Sequence, residues 1–205
     1  MYRIEADDLS RSEVLALIEE HLRNMHELTP PGQVFAFDAS KLRAPGVVLW
    51  TAWQDGTLLG CAALKELSLT QGEVKSMRTP SNLRRQGAGR ALLDHILRVS
   101  RERGYQELFL ETGCQPEFGP AQMLYRSAGF QECGPFGSYT ENGNSVFMWL
   151  RLSEELARLS PDRLALTEAT SNADRRQLLL ERLDGQVDDP RQRQQQAQLE
   201  QETLD

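Results

Sequence analysis

The sequence predicts an α/β layered domain followed by a helical extension, and three observations carry that prediction. From Leu58 to Leu152 the apolar patterns alternate in the order β-β-α-β-α-β-β. An Asp55-Gly56 pair joins two apolar, β-rich runs, and glycines close the two amphipathic helical stretches that follow. Beyond Leu152 tryptophan, phenylalanine and tyrosine vanish while glutamine and leucine rise, so the boundary falls between a domain at 1–152 and an extension at 153–205.

Each element has its own signal. Tyr2 to Ala6 reads as a short first strand, and Ser10 with Glu13 forms an S-x-x-E capping box opening a helix with apolar Val14, Leu15, Leu17, Ile18 and Leu22. That pattern fades near Met25, and the segment from His26 to Gly46, with three prolines, predicts a loop or short helix of the kind that borders binding sites. "VVLWTAW" and "LLGCAAL" form the hairpin, "GEVKSMRT" the next strand, and Gly89 to Arg103 a helix burying Leu92, Leu93, Ile96, Leu97 and Val99. "ELFLETG" is then a strand, "GPAQMLYRSAGF" a short helix ended by Gly129, and "SVFMWLRL" a last strand after an Asn142-Gly143 turn. In the extension, Ser153, Ser160-Pro161 and Asp189-Pro190 look like helix starts, and "ADRRQLLLERLDG" predicts a helix closed by Gly185.

Bulk properties exclude several classes. The 205-residue chain carries a formal charge of -7, so no basic surface awaits nucleic acid, and any anion must be met by local chemistry. Twelve acidic against seven basic residues in 153–205 carry most of that charge. Cys61, Cys114 and Cys133 lack metal or redox spacing, and His21, His26 and His95 make no ligand pattern with them, so reduced thiols and no metal are expected. The N-terminus has no signal-peptide pattern and no run approaches a membrane span, which predicts a cytoplasmic protein away from the membrane.

The chemistry concentrates in "RTPSNLRRQGAGRALLDHILRVSRERGY". A glycine loop running into a helix offers backbone N–H groups without intrahelical partners, together with the positive end of the helix dipole. Gly87 and Gly89 let oxygens approach the backbone, and Arg84, Arg85 and Arg90 add cationic donors, so a phosphate or pyrophosphate is the natural occupant. Spacing rules out the G-x-x-x-x-G-K-S/T loop, and Leu92 stands where the dinucleotide fingerprint needs glycine or alanine.

These residues resemble a known family. Arg84-Arg85-Gln86-Gly87-Ala88-Gly89 is similar to the Gln/Arg-x-x-Gly-x-Gly/Ala loop of the GNAT acyltransferases, and the strand before it, the strand after its helix, and the A-x-x-L-Y-x-x-x-G-F run from Ala121 to Phe130 extend the likeness from Tyr2 to Leu152. The resemblance implies a mixed, mostly antiparallel central sheet with splayed central strands and flanking helices. It also implies acetyl-CoA as cosubstrate, with its pyrophosphate wrapped by the backbone from Arg85 to Arg90. Met77, Arg78 and Thr79 are then cofactor-binding, the strand backbone pairing with the pantetheine amides and the Met77 N–H stabilising the thioester oxyanion. Pro80 directly after Thr79, Arg85 in place of a frequent glycine, and Phe118 at a common asparagine position depart from the family pattern.

Acetyl transfer to an amine requires a base, because a primary ammonium has a pKa near 10. By family position Glu73 ranks first and Glu111, near the end of the neighbouring strand, second, with a water between them as relay. The competing role for either is as a solvated residue or a salt-bridge partner of Lys75 or Arg78. Tyr125 stands at the family's general-acid tyrosine. Cys114 has no histidine nearby in sequence to activate it, so direct transfer is expected over an acyl-cysteine.

Acceptor contacts are expected from His26, Glu27, Phe35, Phe37 and Asp38, with Arg78 from the strand. The short insert predicts a small-molecule amine as acceptor. Peptide or protein N-acetylation and a noncatalytic acetyl-CoA-binding protein are the alternatives, and the C-terminal helices could pack on the domain, form a homodimer or hang free.

Overall fold

The structure, a computed structural model, describes residues 2–30 and 34–152, so the helices expected in 153–205 lie outside the described residues. The elements in order are β1 (Arg3–Asp7), α1 (Ser12–Leu28), α2 (Ala39–Leu42), β2 (Val47–Gln54), β3 (Thr57–Ser68), β4 (Gln71–Arg78), α3 (Ala88–Glu102), β5 (Glu107–Gly113), α4 (Gly119–Ser127), β6 (Gln131–Cys133) and β7 (Ser145–Arg151). The strands form one seven-stranded sheet in the order β1-β2-β3-β4-β5-β7-β6. Only β4 with β5 runs parallel; every other neighbouring pair is antiparallel.

Local sequence explains most of the joints. Asp55 at φ 50° and Gly56 at φ 77° give the two left-handed residues of a tight hairpin turn, matching the twist of β2 and β3. Gly104 at φ 84° ends α3, with the Tyr105 N–H reaching back to the Ser100 carbonyl at 2.9 Å. The capping box expected at Ser10 and Glu13 does not form: α1 begins at Ser12 with Arg11 as an N-cap that makes no side-chain bond. Asp7 and Asp8 instead accept the N–H groups of Leu9 and Ser10 at 2.7 and 3.0 Å. These side-chain turns compete with capping and tip Leu9, at φ 62°, into the core.

Two apolar clusters sandwich the sheet. On one face Leu92, Leu93, Ile96 and Leu97 of α3 pack on Ala62, Leu64, Val74, Leu108, Leu110 and Met148, joined by Tyr125 of α4. On the other, Val14, Leu17 and Ile18 of α1 and Leu42 of α2 pack on Leu49, Trp53, Cys61 and Ala63. Strand alternation then assigns the polar residues: Lys65 continues the row of Cys61 and Ala63, while Glu73 and Lys75 flank Val74 and Glu111 follows Leu110, all toward the α1 face. No helix among the described residues is long and apolar enough to cross a membrane.

Gly60 in β3 is a position where backbone leaves no room for a side chain. A Cβ there would stand 2.7 Å from the Arg78 carbonyl oxygen and 3.1 Å from Thr79 Cγ2. Gly60→Ala is therefore expected to lower stability by about 1–3 kcal/mol, read as a lower urea midpoint; an unchanged midpoint would show that β3 and β4 separate freely at this point.

Candidate active site

The site begins where β4 and β5 part. Their parallel ladder pairs Gln71–Val74 with Glu107–Leu110, although β4 continues to Arg78 and β5 to Gly113. Beside the opening, β4 bulges: Cys61 faces Arg78 and Ala63 faces Lys75, so Ser76 and Met77 together oppose Ala62. Ser76 carries the distortion at φ 48°, and the Cys61 thiol contacts its carbonyl at 3.5 Å. A bulge of this kind removes backbone groups from the ladder, which is how a strand presents an N–H to a ligand instead of to a neighbour.

The glycine loop lies at the end of the same strand. Arg85 at φ 61° and Gly87 at φ 89° flank Gln86, which is not in that region, and such alternation turns successive N–H groups toward one concavity. Helix α3 then starts at Ala88 with no side-chain cap, and its first intrahelical bond runs from the Ala91 N–H to the Gly87 carbonyl at 3.0 Å. The N–H groups from Gly87 to Arg90 are thus left for an anion. Tyr2 braces the loop from behind, its hydroxyl donating to the Gln86 carbonyl. A Cβ on Gly87 would lie 2.9 Å from that hydroxyl. Arg84 and Arg85 are exposed at the rim, whereas Arg90 is held by Asp94 at 2.8 Å.

Two cavities flank the opening. The first is lined by His21 and Met25 of α1 and Thr29 just after it, Lys75, Ser76 and Met77 of β4, Glu111, Thr112 and Gly113 of β5, and Phe118, Ala121 and Tyr125 around α4. Glu111 accepts from the Ser145 hydroxyl at 2.6 Å, and burial pushes its carboxyl above the usual range despite that bond. Tyr125 is buried, and desolvation, aided by the charge of Glu111, pushes its phenol well above the ordinary value. The second cavity is lined by Val34, Phe35, Phe37, Lys41, Lys65, Glu73 and the Phe136–Tyr139 turn.

A strand bulge, a nest of N–H groups at a helix start and a buried tyrosine beside a split sheet form a cleft able to take an extended, anionic ligand, and comparison with known proteins identifies the family. The acetyltransferase (GNAT) family model matches residues 14–130. The chain belongs to the GNAT family. It is 46% identical over 149 residues to an uncharacterised N-acetyltransferase, YsnE, of Bacillus subtilis, covering 73% of this chain and 99% of that one. The structure of an acyl-CoA N-acyltransferase from Klebsiella pneumoniae superposes with a TM-score of 0.61 at 27% identity, over 75% of this chain and 99% of that one. N-acetylglutamate synthase from Neisseria gonorrhoeae, solved with coenzyme A and N-acetylglutamate, shares the fold at 24% identity and a TM-score of 0.59, over 75% of this chain and 35% of that one.

Within this GNAT frame the candidate residues separate. Met77, Glu111 and Tyr125 line one cavity, and Arg78 and Thr79 lead from it to the loop at 84–90. Glu73 faces the other cavity, where its Oε1 accepts from the Tyr139 hydroxyl at 2.5 Å and pairs with the Lys75 ammonium at 3.2 Å. The Arg78 guanidinium is engaged by Glu20 of α1 at 2.8 Å. Of the expected acceptor contacts, Phe35 lines both cavities and Phe37 the second; Asp38 caps α2 by accepting the Lys41 N–H at 2.8 Å, and His26 and Glu27 line neither. Cys114 is exposed and donates to the Gly143 carbonyl.

Sequence reasoning missed Tyr139, Tyr2 and His21, whereas the Lys75 pairing it named as the competing role for Glu73 forms at 3.2 Å. Tyr139 lies in an irregular segment that carries no periodicity, and Tyr2, read as the start of the first strand, meets Gln86, 84 residues away, a contact no local pattern announces. His21 did have a signal, since it sits three and four residues beyond Ile18 and Leu17 on the apolar stripe of α1. Its Nδ1 is buried without a hydrogen-bond partner, and desolvation, with Arg78 nearby, pushes its pKa down to about 4.

A depressed histidine makes the fold lose stability as pH falls through the unfolded value near 6.5 toward the folded value of about 4, because only the unfolded chain takes the proton in that window. The expected loss by pH 4.5 is about 2–3 kcal/mol. His21→Gln should flatten that part of the profile in urea titrations between pH 7 and pH 4.5, and an equal slope in both proteins would remove His21 as its cause.

Proposed function

We propose that the protein acetylates a primary amine of a small molecule, using acetyl-CoA and direct attack on the thioester. The observation that carries this reading is the convergence, at the gap between β4 and β5, of the bulged Met77 backbone, the Tyr125 hydroxyl and the Glu111 carboxylate, next to the loop at Arg85–Arg90. Residues Gly87 to Arg90 hold the pyrophosphate through backbone N–H groups, with Arg84 and Arg85 at the rim. The backbone from Met77 to Thr79 pairs with the pantetheine amides as an added strand would.

Glu111 serves as the base, with or without a water between, and takes a proton from the acceptor nitrogen as the C–N bond forms. Its burial supports this role, since a carboxylate pushed upward is a better proton acceptor near neutral pH. The Met77 N–H donates to the developing oxyanion. As the C–S bond breaks, Tyr125 supplies the proton to the departing sulfur, and its raised pKa keeps the hydroxyl protonated until then. The proton on Glu111 resets Tyr125 across the cavity. Glu73 is less suited to the base role, because the oxygen it would use already accepts from Tyr139 and Lys75.

Direct attack, without an acyl-cysteine, agrees with the exposed position of Cys114 and with the burial that pushes the Cys61 thiol up to about 12. A small-molecule acceptor is supported by the aromatic lining of the second cavity, where the Tyr139 ring packs against Phe35 and Phe136 with centroids 5.0 and 4.9 Å apart.

An amine panel followed by thiol release tests the reading. Tyr125→Phe and Glu111→Gln are each expected to lower kcat about 100-fold or more with little change in acetyl-CoA affinity, and Glu73→Gln to lower it less. Cofactor binding without turnover of any amine would instead favour a binding protein. A separate expectation concerns the loop: Gly87→Glu forces a side chain onto a φ of 89° and against the Tyr2 hydroxyl, which distorts the N–H nest, and should abolish acetyl-CoA binding in calorimetry while circular dichroism stays native; retained affinity would remove the loop from the donor site.

A further inference from the structure

The second cavity holds an uneven set of charges. Glu73 is matched by Lys75, whose Nζ lies 3.2 Å from its carboxylate and 2.5 Å from the Tyr139 hydroxyl. That leaves two further lysines on the lining, Lys41 of α2 and Lys65 of β3, and among the described residues neither ammonium forms an ion pair. Asp38, the nearest acid to Lys41 in the chain, accepts from the Lys41 N–H and the Ser40 hydroxyl at the start of α2 and does not line the cavity. Glu66, beside Lys65, belongs to the opposite row of β3 and accepts from the Tyr105 hydroxyl at 3.0 Å, while Glu73, opposite Lys65 across the β3–β4 ladder, is engaged by Tyr139 and Lys75. In a chain with a formal charge of -7, a cavity with a surplus of two positive charges is a local feature and not an effect of the overall field.

The rest of the lining is aromatic. The Phe37 ring stands 5.8 Å from Lys65 Nζ and 4.7 Å from Lys75 Nζ, so both cations lie against it. Phe35 packs edge-on against Tyr139 at 5.0 Å. Val34 and Phe35 line both cavities, and Lys75 lines the first while touching Glu73 in the second. A molecule whose amine reaches Glu111 therefore extends past Phe35 toward the two lysines.

We propose that this cavity is an anion-reading acceptor subsite: the acceptor is an amine that also bears a carboxylate, which Lys41 and Lys65 hold while its apolar body lies against Phe35, Phe37 and Tyr139. The inference rests on the acetyl-transfer reading for its placement of the amine. Charge recognition here acts on acceptor affinity and not on the transfer step, because neither lysine touches the reacting atoms.

The experiment pairs each carboxylated amine with its carboxamide, using para-aminomethylbenzoate and gamma-aminobutyrate, and measures kcat and KM. The wild-type protein should prefer at least one carboxylate over its carboxamide by about tenfold or more in kcat/KM, through KM. Lys41→Gln and Lys65→Gln should each erode that preference and the double variant abolish it, with the carboxamide rates and the KM for acetyl-CoA unchanged. Equal use of carboxylates and carboxamides, or variants that slow both alike, overturns the subsite. Calorimetric titration of para-toluate, which has no amine, separates the two readings. Binding to the wild-type protein that the double variant lacks supports the subsite even if no amine is acetylated, a result that would sink the transfer reading alone, and absence of binding to the wild-type protein sinks the subsite.

Discussion

The structure depends on one constraint, that β4 and β5 pair as parallel strands for only part of their length. Parallel strands in an otherwise antiparallel sheet require a crossover, here α3, and the crossover puts a helix start and its unpaired N–H groups at the end of β4. The same geometry opens the sheet at its middle, since the ladder stops at Val74 and Leu110 while both strands run on. A split in a sheet would ordinarily strand backbone groups without partners. The bulge at Ser76 and Met77 concentrates that cost at one place, where a ligand backbone can answer it.

Burial of charge is the second consequence of the opening. Glu73 is 1% exposed and Lys75 6%, yet each has the other as well as the Tyr139 hydroxyl. A pair of this kind contributes little net stability against an apolar equivalent, but loss of either partner leaves an uncompensated charge that costs about 3–5 kcal/mol. The triad engages Tyr139 of the aromatic turn at Phe136–Tyr139, whereas Glu111 accepts from the Ser145 hydroxyl and makes no ion pair among the described residues. Two glutamates on one face of the sheet thus acquire different roles from their neighbours and not from their own chemistry.

Much of this was legible in the sequence where local physics decides. The Asp55-Gly56 turn, the apolar stripe of α3 and the glycine that ends it follow from turn chemistry and helical period, and the structure has them with bounds shifted by a residue or so. The glycine loop's geometry was legible for the same reason: a left-handed Gly87 and a helix start are local properties. The capping box failed because two aspartates just upstream offered the backbone an alternative that a three-residue spacing rule does not weigh. Glu73 could be placed on its strand, but its partner Tyr139 is 66 residues away in a turn without periodicity, so no pattern in the chain announces their contact.

The asymmetry between donor and acceptor has a physical cause. Backbone N–H groups recognise a pyrophosphate whatever side chains they carry, so the sequence has only to encode glycine, a bulge and a helix start, each of which leaves a local trace. The proposed acceptor subsite would depend on side chains converging from α2, β3, the 34–37 segment and the turn at 136–139, which no spacing relates to one another. Such a surface can change its chemistry by single substitutions at Lys41, Lys65 or Phe37 without disturbing the sheet, because these residues lie outside both apolar clusters or, for Phe37, at the margin of one. A fold whose donor site is written in the backbone and whose acceptor site is written in loop and edge side chains keeps its reaction while its substrate changes.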